Sequence, residues 1–106
     1  MLAADYLEDR GIRVIDHNWR CPVGEIDLIA VDGQTLVIAE VKTRRSVRYG
    51  HPFESITDAK LNRLRTLSVL WSREHGVFLP RSRIDALAVL DDGRGEPVVE
   101  HLRGVG

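Results

Sequence analysis

One stretch limits what this chain can fold into more than any other: GEIDLIAVDGQTLVIAEVK, from Gly24 to Lys42. Two apolar runs flank Asp32-Gly33, which predicts a pair of antiparallel strands joined by a tight turn. Yet Glu25, Asp27, Glu40 and Lys42 lie inside those runs. A charge in a buried strand is unfavourable unless it is paired or bound to a metal, so the fold has to bring these side chains together. Alternation along a strand puts Glu25 and Asp27 on one face of the first run, and Glu40 and Lys42 on one face of the second.

Whether those faces coincide depends on the turn. Asp32-Gly33 as a two-residue type I′ turn sets Glu25 opposite Glu40, with Asp27 one diagonal away. A four-residue loop from Asp32 to Thr35 sets Asp27 opposite Glu40 and Glu25 opposite Lys42. Both gather the four charges on one face, whereas a three-residue loop without a bulge separates them.

The rest of the chain supplies the frame. Its 106 residues make a single domain, 1–106, around one core. Leu2, Ala3, Tyr6 and Leu7, ahead of Gly11, predict a short helix over 2–10. Ile12 to Ile15 with Trp19 reads as a first strand that turns at Cys21-Pro22-Val23-Gly24, and strands over 25–31 and 35–43 follow. Ser55 or Thr57 is expected to cap a second helix, Ser55 with Asp58 resembling a capping box. Leu61, Leu64, Leu67 and Trp71 form the apolar face of that helix, Lys60, Arg63 and Arg73 fall away from it, and Gly76 ends it. Residues 83–90 read as a strand, 91–95 as a turn, and Val98-Val99 as a short last strand. This order predicts an α/β sandwich with a mixed central sheet, in which strand three, the long helix and strand four form a right-handed crossover between parallel neighbours.

Composition excludes several classes of function. With 15 basic and 16 acidic residues the chain is near neutral, so bulk charge selects no partner. No apolar run approaches the roughly 18 residues that span a bilayer. The opening MLAADYLEDRG has acids where a signal peptide has basic and then apolar residues, which predicts a cytoplasmic protein. Cys21 has no internal disulfide partner, and no Cys/His spacing suggests zinc.

Carboxylates about 5 Å apart on paired strands repel and raise one pKa unless a divalent cation lies between them. Oxygen ligands of this kind suit Mg2+ or Mn2+, which keep several waters. Lys42, two residues beyond Glu40, points at the same spot and can hold a phosphate oxygen or orient a water, a combination suited to phosphodiester hydrolysis. The acid-free run KTRRSVRYGHPF begins there, and Arg44, Arg45 and Arg48 can follow a nucleic-acid backbone without reading sequence. Lys60 and Arg63 on the second helix are further candidates for backbone contact. The bland alternatives are a structural ion pair for Asp27, Glu40 and Lys42, and a solvated loop and helix face for the other basic residues. Glu25 reads either as a group behind the metal ligands or as a partner of Lys42. Asp85 reads as structural, held by Arg83 or a nearby amide, His51 as a loop residue, and Cys21 and Trp71 as core.

An acid on one strand, a turn, and acid-x-Lys on the next resembles the PD-(D/E)XK nuclease signature, here Asp27 and Glu40-Val41-Lys42. GEIDLIA, the EVKTR run, Tyr49-Gly50-His51-Pro52, the Lys60-x-x-Arg63-Leu64 helix and Arg83-Ile84-Asp85 together resemble the bacterial YraN family, similar in fold to archaeal Holliday-junction resolvases. The likeness covers Ala3 to Gly106. It implies a restriction-endonuclease-like fold with an α-β-β-β-α-β core, and a metal-dependent nuclease acting on DNA, branched or single-stranded, with a homodimer as its working form. It implies Asp27, Glu40 and the Val41 carbonyl as ligands of Mg2+ or Mn2+, and Lys42 as the catalytic lysine. The family pattern also carries a Gly-Glu pair early in the first helix. Alignment on LAADYL places that glutamate just before Met1, so the first helix is expected to be truncated at its N-terminus.

Overall fold

The computed structural model describes residues 1–48 and 50–106. Tyr49, and with it part of the Tyr49-Gly50-His51-Pro52 motif, lies outside them. The elements run α1 (Leu2–Asp9), β1 (Arg13–Cys21), β2 (Gly24–Asp32), β3 (Thr35–Arg44), a 3-10 turn (Pro52–Ser55), α2 (Asp58–His75), β4 (Arg81–Leu90) and β5 (Val98–Leu102). The strands form one sheet in the order β1-β2-β3-β4-β5, with β3 and β4 parallel and the other neighbours antiparallel. This is the mixed α/β architecture expected, and it is compatible with a restriction-endonuclease-like fold.

The helices cover opposite faces of the sheet. Ala3 and Leu7 of α1 pack with Leu28, Ala30, Val37, Ala39, Leu87 and Val89. Leu61, Leu64, Leu67 and Trp71 of α2 pack with Ile29, Leu36, Ile38 and Ile84. Alternate residues of β3 thus feed two apolar layers, which is why its sequence is apolar almost throughout. Each fully buried Leu or Ile in these layers contributes roughly 1.5–3 kcal/mol. Cys21 is only half-buried, packed beside the α2 layer, because it stands at the end of the edge strand β1. Trp71 is core as expected, and its indole N–H donates to Asp16 at 2.8 Å. Among the described residues, no helix is long and apolar enough to cross a membrane.

Two local expectations change. Asp32 still pairs with Thr35, so the β2–β3 turn is Gly33-Gln34 and not Asp32-Gly33. Gly33 takes φ +61 while Gln34 does not enter positive φ, whereas a type I′ turn requires it at both positions. Asp32 stays in its strand with its carboxylate on Arg83 Nη1 at 2.9 Å. The register that results is nonetheless the one that aligns Asp27 with Glu40.

The second correction is at α2. Thr57 Oγ1 accepts from the Lys60 amide at 3.2 Å, while the Ser55 hydroxyl donates to the Pro52 carbonyl at 2.8 Å and closes the 3-10 turn. Ser55 is spent on that turn, so the Ser55-Asp58 capping box does not form. Thr57→Ala is expected to destabilise the protein by about 1 kcal/mol, and Ser55→Ala to spare α2; urea denaturation of both variants checks it. Gly76 ends α2 at φ +65, the left-handed C-terminal cap that glycine adopts without strain.

Candidate active site

The β2–β3 ladder runs from Asp32↔Thr35 to Leu28↔Ala39 and stops there. Beyond that point β2 stays paired with β1 as far as Gly24, and β3 with β4 as far as Arg44. The sheet therefore opens between β2 and β3, and the next residues on the two strands are Asp27 and Glu40. Strand alternation also breaks here, because Ile26 packs in the α2 layer and Leu28 in the α1 layer. The first turn of α2 lies over the opening. Gly24, Glu25, Asp27, Glu40, Val41, Lys42, Lys60 and Arg63 line the resulting cavity of about 380 Å³, with Leu64 and Leu67 of α2 completing its wall.

The opening would orphan a backbone donor, and a side chain prevents it. Asp27 Oδ2 accepts from the Val41 amide at 2.8 Å, replacing the lost ladder partner. Glu40 is only 7% exposed, and its Oε1 receives both Lys60 Nζ at 2.8 Å and Lys42 Nζ at 3.1 Å. Glu25 points the other way along the same wall, and its Oε2 accepts from Arg20 Nε at 3.1 Å across the β1–β2 pair. Lys42 is thus the partner of Glu40 and not of Glu25.

These neighbours shift the titration of two groups. Burial raises the Asp27 pKa above the ordinary carboxylate range; the Glu40 and Glu25 charges raise it further, against the lowering by the Val41 amide and Lys42. Burial alone would lower the Lys60 pKa, but its hydrogen bond to Glu40 and the charges of Glu40 and Asp27 hold it above the usual value. The ammonium groups answer one carboxylate and leave the other disfavoured.

The expectation that Lys60 falls away from the buried face of α2 is overturned. Lys60, Leu64, Leu67 and Trp71 follow at spacings of four, three and four, so Lys60 extends the apolar stripe by one turn and over the mouth of the cavity. Arg63 is exposed at its head, yet its stem borders the cavity, with Cδ where a Cβ on Gly24 would come within 3.3 Å. Arg44 and Arg45 lie beyond the end of this site, around a separate recess with Asp91 and Gly93. The Arg48 amide donates to Ser46 Oγ at 3.3 Å. His51 is held by Glu100 at 2.7 Å and accepts from the Phe53 amide at 3.1 Å, outside the cavity.

Asp27 also borders a second recess on the other face, about 310 Å³, lined by Met1, Leu2, Ala3, Asn18 and Val41. The start of α1 therefore approaches Asp27 from the side opposite α2.

A family model described as an uncharacterised protein family, UPF0102, matches residues 1–89. The chain belongs to the UPF0102 family. That match runs from α1 to β4 and so includes every element that builds the cavity. A UPF0102 protein of Renibacterium salmoninarum is 70% identical over 105 residues, 99% of this chain and 89% of that protein. UPF0102 proteins of an Arthrobacter strain and of Paenarthrobacter aurescens are each 61% identical, covering 99% and 98% of this chain and 89% and 86% of their own lengths.

Proposed function

We propose that this UPF0102 protein is a Mg2+- or Mn2+-dependent endonuclease of the PD-(D/E)XK kind, hydrolysing phosphodiester bonds in DNA. The observation that supports this best is the convergence of Asp27, Glu40 and Lys42 in one cavity, where the sheet opens beneath two further basic residues. Among the described residues, no group of three His, Cys, Asp or Glu side chains could hold an ion by itself. The donor set is accordingly two carboxylates and a main-chain carbonyl, which fits an ion that retains several waters. In a strand the N–H and C=O of one residue face the same neighbour, so the Val41 carbonyl opens to the gap its amide faces. Burial raises the Asp27 pKa first and the Glu40 and Glu25 charges raise it further; a cation beside the carboxylate favours its charged form against both.

When bound, the ion would supply charge neutralisation at the phosphoryl oxygens and lower the pKa of a coordinated water. The protein's own residues do the positioning. Asp27 is fixed by the Val41 amide and Glu40 by burial, so both carboxylates are pre-set with little freedom to lose. Lys42 stands beside Glu40, where its ammonium can orient the attacking water or hold a non-bridging phosphate oxygen. Arg63 at the rim is suited to a neighbouring phosphate, and Arg44 and Arg45 to the strand as it leaves the cavity.

The test is incubation of the purified protein with single-stranded and branched DNA, with Mg2+ and with a chelator. Cleavage that needs the metal supports the reading. The competing reading, a nucleic-acid-binding module that does not cut, is favoured by Glu40 being held by two lysines; it predicts salt-dependent binding with no cleavage. Under either, Arg63→Ala should weaken DNA binding evenly across sequences and reduce the slope of log affinity against log salt by about 1. An unchanged slope would remove Arg63 from the interface.

A further inference from the structure

The structure places a second lysine on the same carboxylate oxygen as the first. Lys60 Nζ is 2.8 Å and Lys42 Nζ 3.1 Å from Glu40 Oε1, although one ammonium suffices to balance one carboxylate. The two lysines differ in origin. Lys42 rises from β3 two residues from Glu40, on the strand that carries it, whereas Lys60 reaches the same oxygen from the first turn of α2. Lys60 is also the more exposed, at 29% against 20% for the Lys42 side chain, so it can withdraw toward solvent at lower cost.

From this geometry we propose that Lys60 is an exchangeable stand-in for the metal: it holds Glu40 until a divalent cation binds, gives it up to the cation, and then offers its ammonium to substrate phosphate. The idea rests on the metal site proposed above. It makes Lys60 a positioning residue whose charge opposes metal binding and favours DNA binding. Lysine suits the role because its ammonium is a mobile point charge with rotatable donors, able to leave one oxygen for another within a single cavity. The exchange also orders the two events, since the ammonium is freed for phosphate only after Glu40 has been taken over.

Mn2+ titration of the full chain without DNA, followed by the signal of unbound Mn2+, reads this without any turnover. Removing one positive charge a few ångströms from the ligand should tighten Mn2+ binding by about tenfold in Lys60→Met, which keeps the bulk of the stem. Lys60→Arg, which keeps the charge, should bind Mn2+ as weakly as the unaltered protein. In saturating Mn2+, Lys60→Met should bind a short DNA less tightly. Asp27→Asn marks the site itself and should abolish Mn2+ binding. Mn2+ affinity in Lys60→Met equal to or weaker than in the unaltered protein, with Asp27→Asn still non-binding, overturns the exchange and leaves the metal site standing. Binding seen only in Lys60→Met supports the exchange, and binding in none of the proteins overturns both.

Discussion

Asp27→Asn and Lys42→Met should each lower Mg2+-dependent DNA cleavage by a factor on the order of 10² to 10³, the range set by losing one preorganised charge at a reacting phosphate. The two substitutions are chosen so that loss of chemistry separates from loss of fold. The asparagine carbonyl can still accept the Val41 amide, which Asp27 Oδ2 now receives at 2.8 Å, so the main chain at the sheet opening keeps its partner. Asp27→Ala, by contrast, leaves that amide unanswered and should cost about 1–3 kcal/mol of stability in addition to activity. In Lys42→Met, Glu40 still has Lys60 at 2.8 Å, so the carboxylate is not stranded. Gel-resolved cleavage rates, with thermal melting of each variant, read the two effects separately. Asp27→Asn cutting at the rate of the unaltered protein would end the nuclease reading, whatever its melting temperature.

Much of this site could be read from the chain because strand alternation is a strong rule. For either even-length turn Asp27, Glu40 and Lys42 had to share a face, and they line one cavity; Glu25 borders it too, but alternation breaks between Ile26 and Leu28 and its carboxylate turns to Arg20. What alternation does not contain is where a ladder stops. The parting of β2 and β3 after Leu28↔Ala39 makes the cavity, and it depends on tertiary packing that draws Ile26 toward α2. Of the two even-length turns, the structure takes the register of the Asp32-to-Thr35 alternative and not that of the Asp32-Gly33 type I′ turn that Asp-Gly most commonly signals, and Arg83 on β4 holds Asp32 within its strand. No local rule sees a partner two strands away. Lys60 was legible in principle, since it continues the spacing of Leu64, Leu67 and Trp71. A charged residue on an apolar stripe is easily assigned to the solvent side, and only the depth of Glu40 shows why this one turns inward.

Away from the cavity, Asp85→Ala should be the most damaging single change to stability, at about 3 kcal/mol. Asp85 is fully buried in β4, and all its ligands come from the protein. Oδ1 accepts from Arg83 Nε at 2.9 Å and the Gly104 amide at 3.0 Å, and Oδ2 from Arg83 Nη2 at 3.3 Å, with His101 Nε2 at 2.8 Å. Removing one member of a buried pair typically costs 3–5 kcal/mol because the other is left without its partner. The lower end applies here, since Arg83 keeps Asp32 at 2.9 Å and its side chain is 21% exposed. The same contacts fix the pH dependence. Burial would raise the Asp85 pKa, but Arg83, the Gly104 amide and His101 together bring it below the ordinary value. A carboxylate with a depressed folded pKa contributes its full stability above its unfolded value of about 3.9 and loses it as pH falls through the folded value. The deficit of Asp85→Ala should therefore be largest near neutral pH and shrink on acidification below about pH 4. Urea midpoints at pH 7 and in strong acid measure both quantities at once. A loss under about 0.5 kcal/mol at pH 7, no more than an ordinary surface change, would show that this buried cluster is not what joins β4 to the chain's last segment.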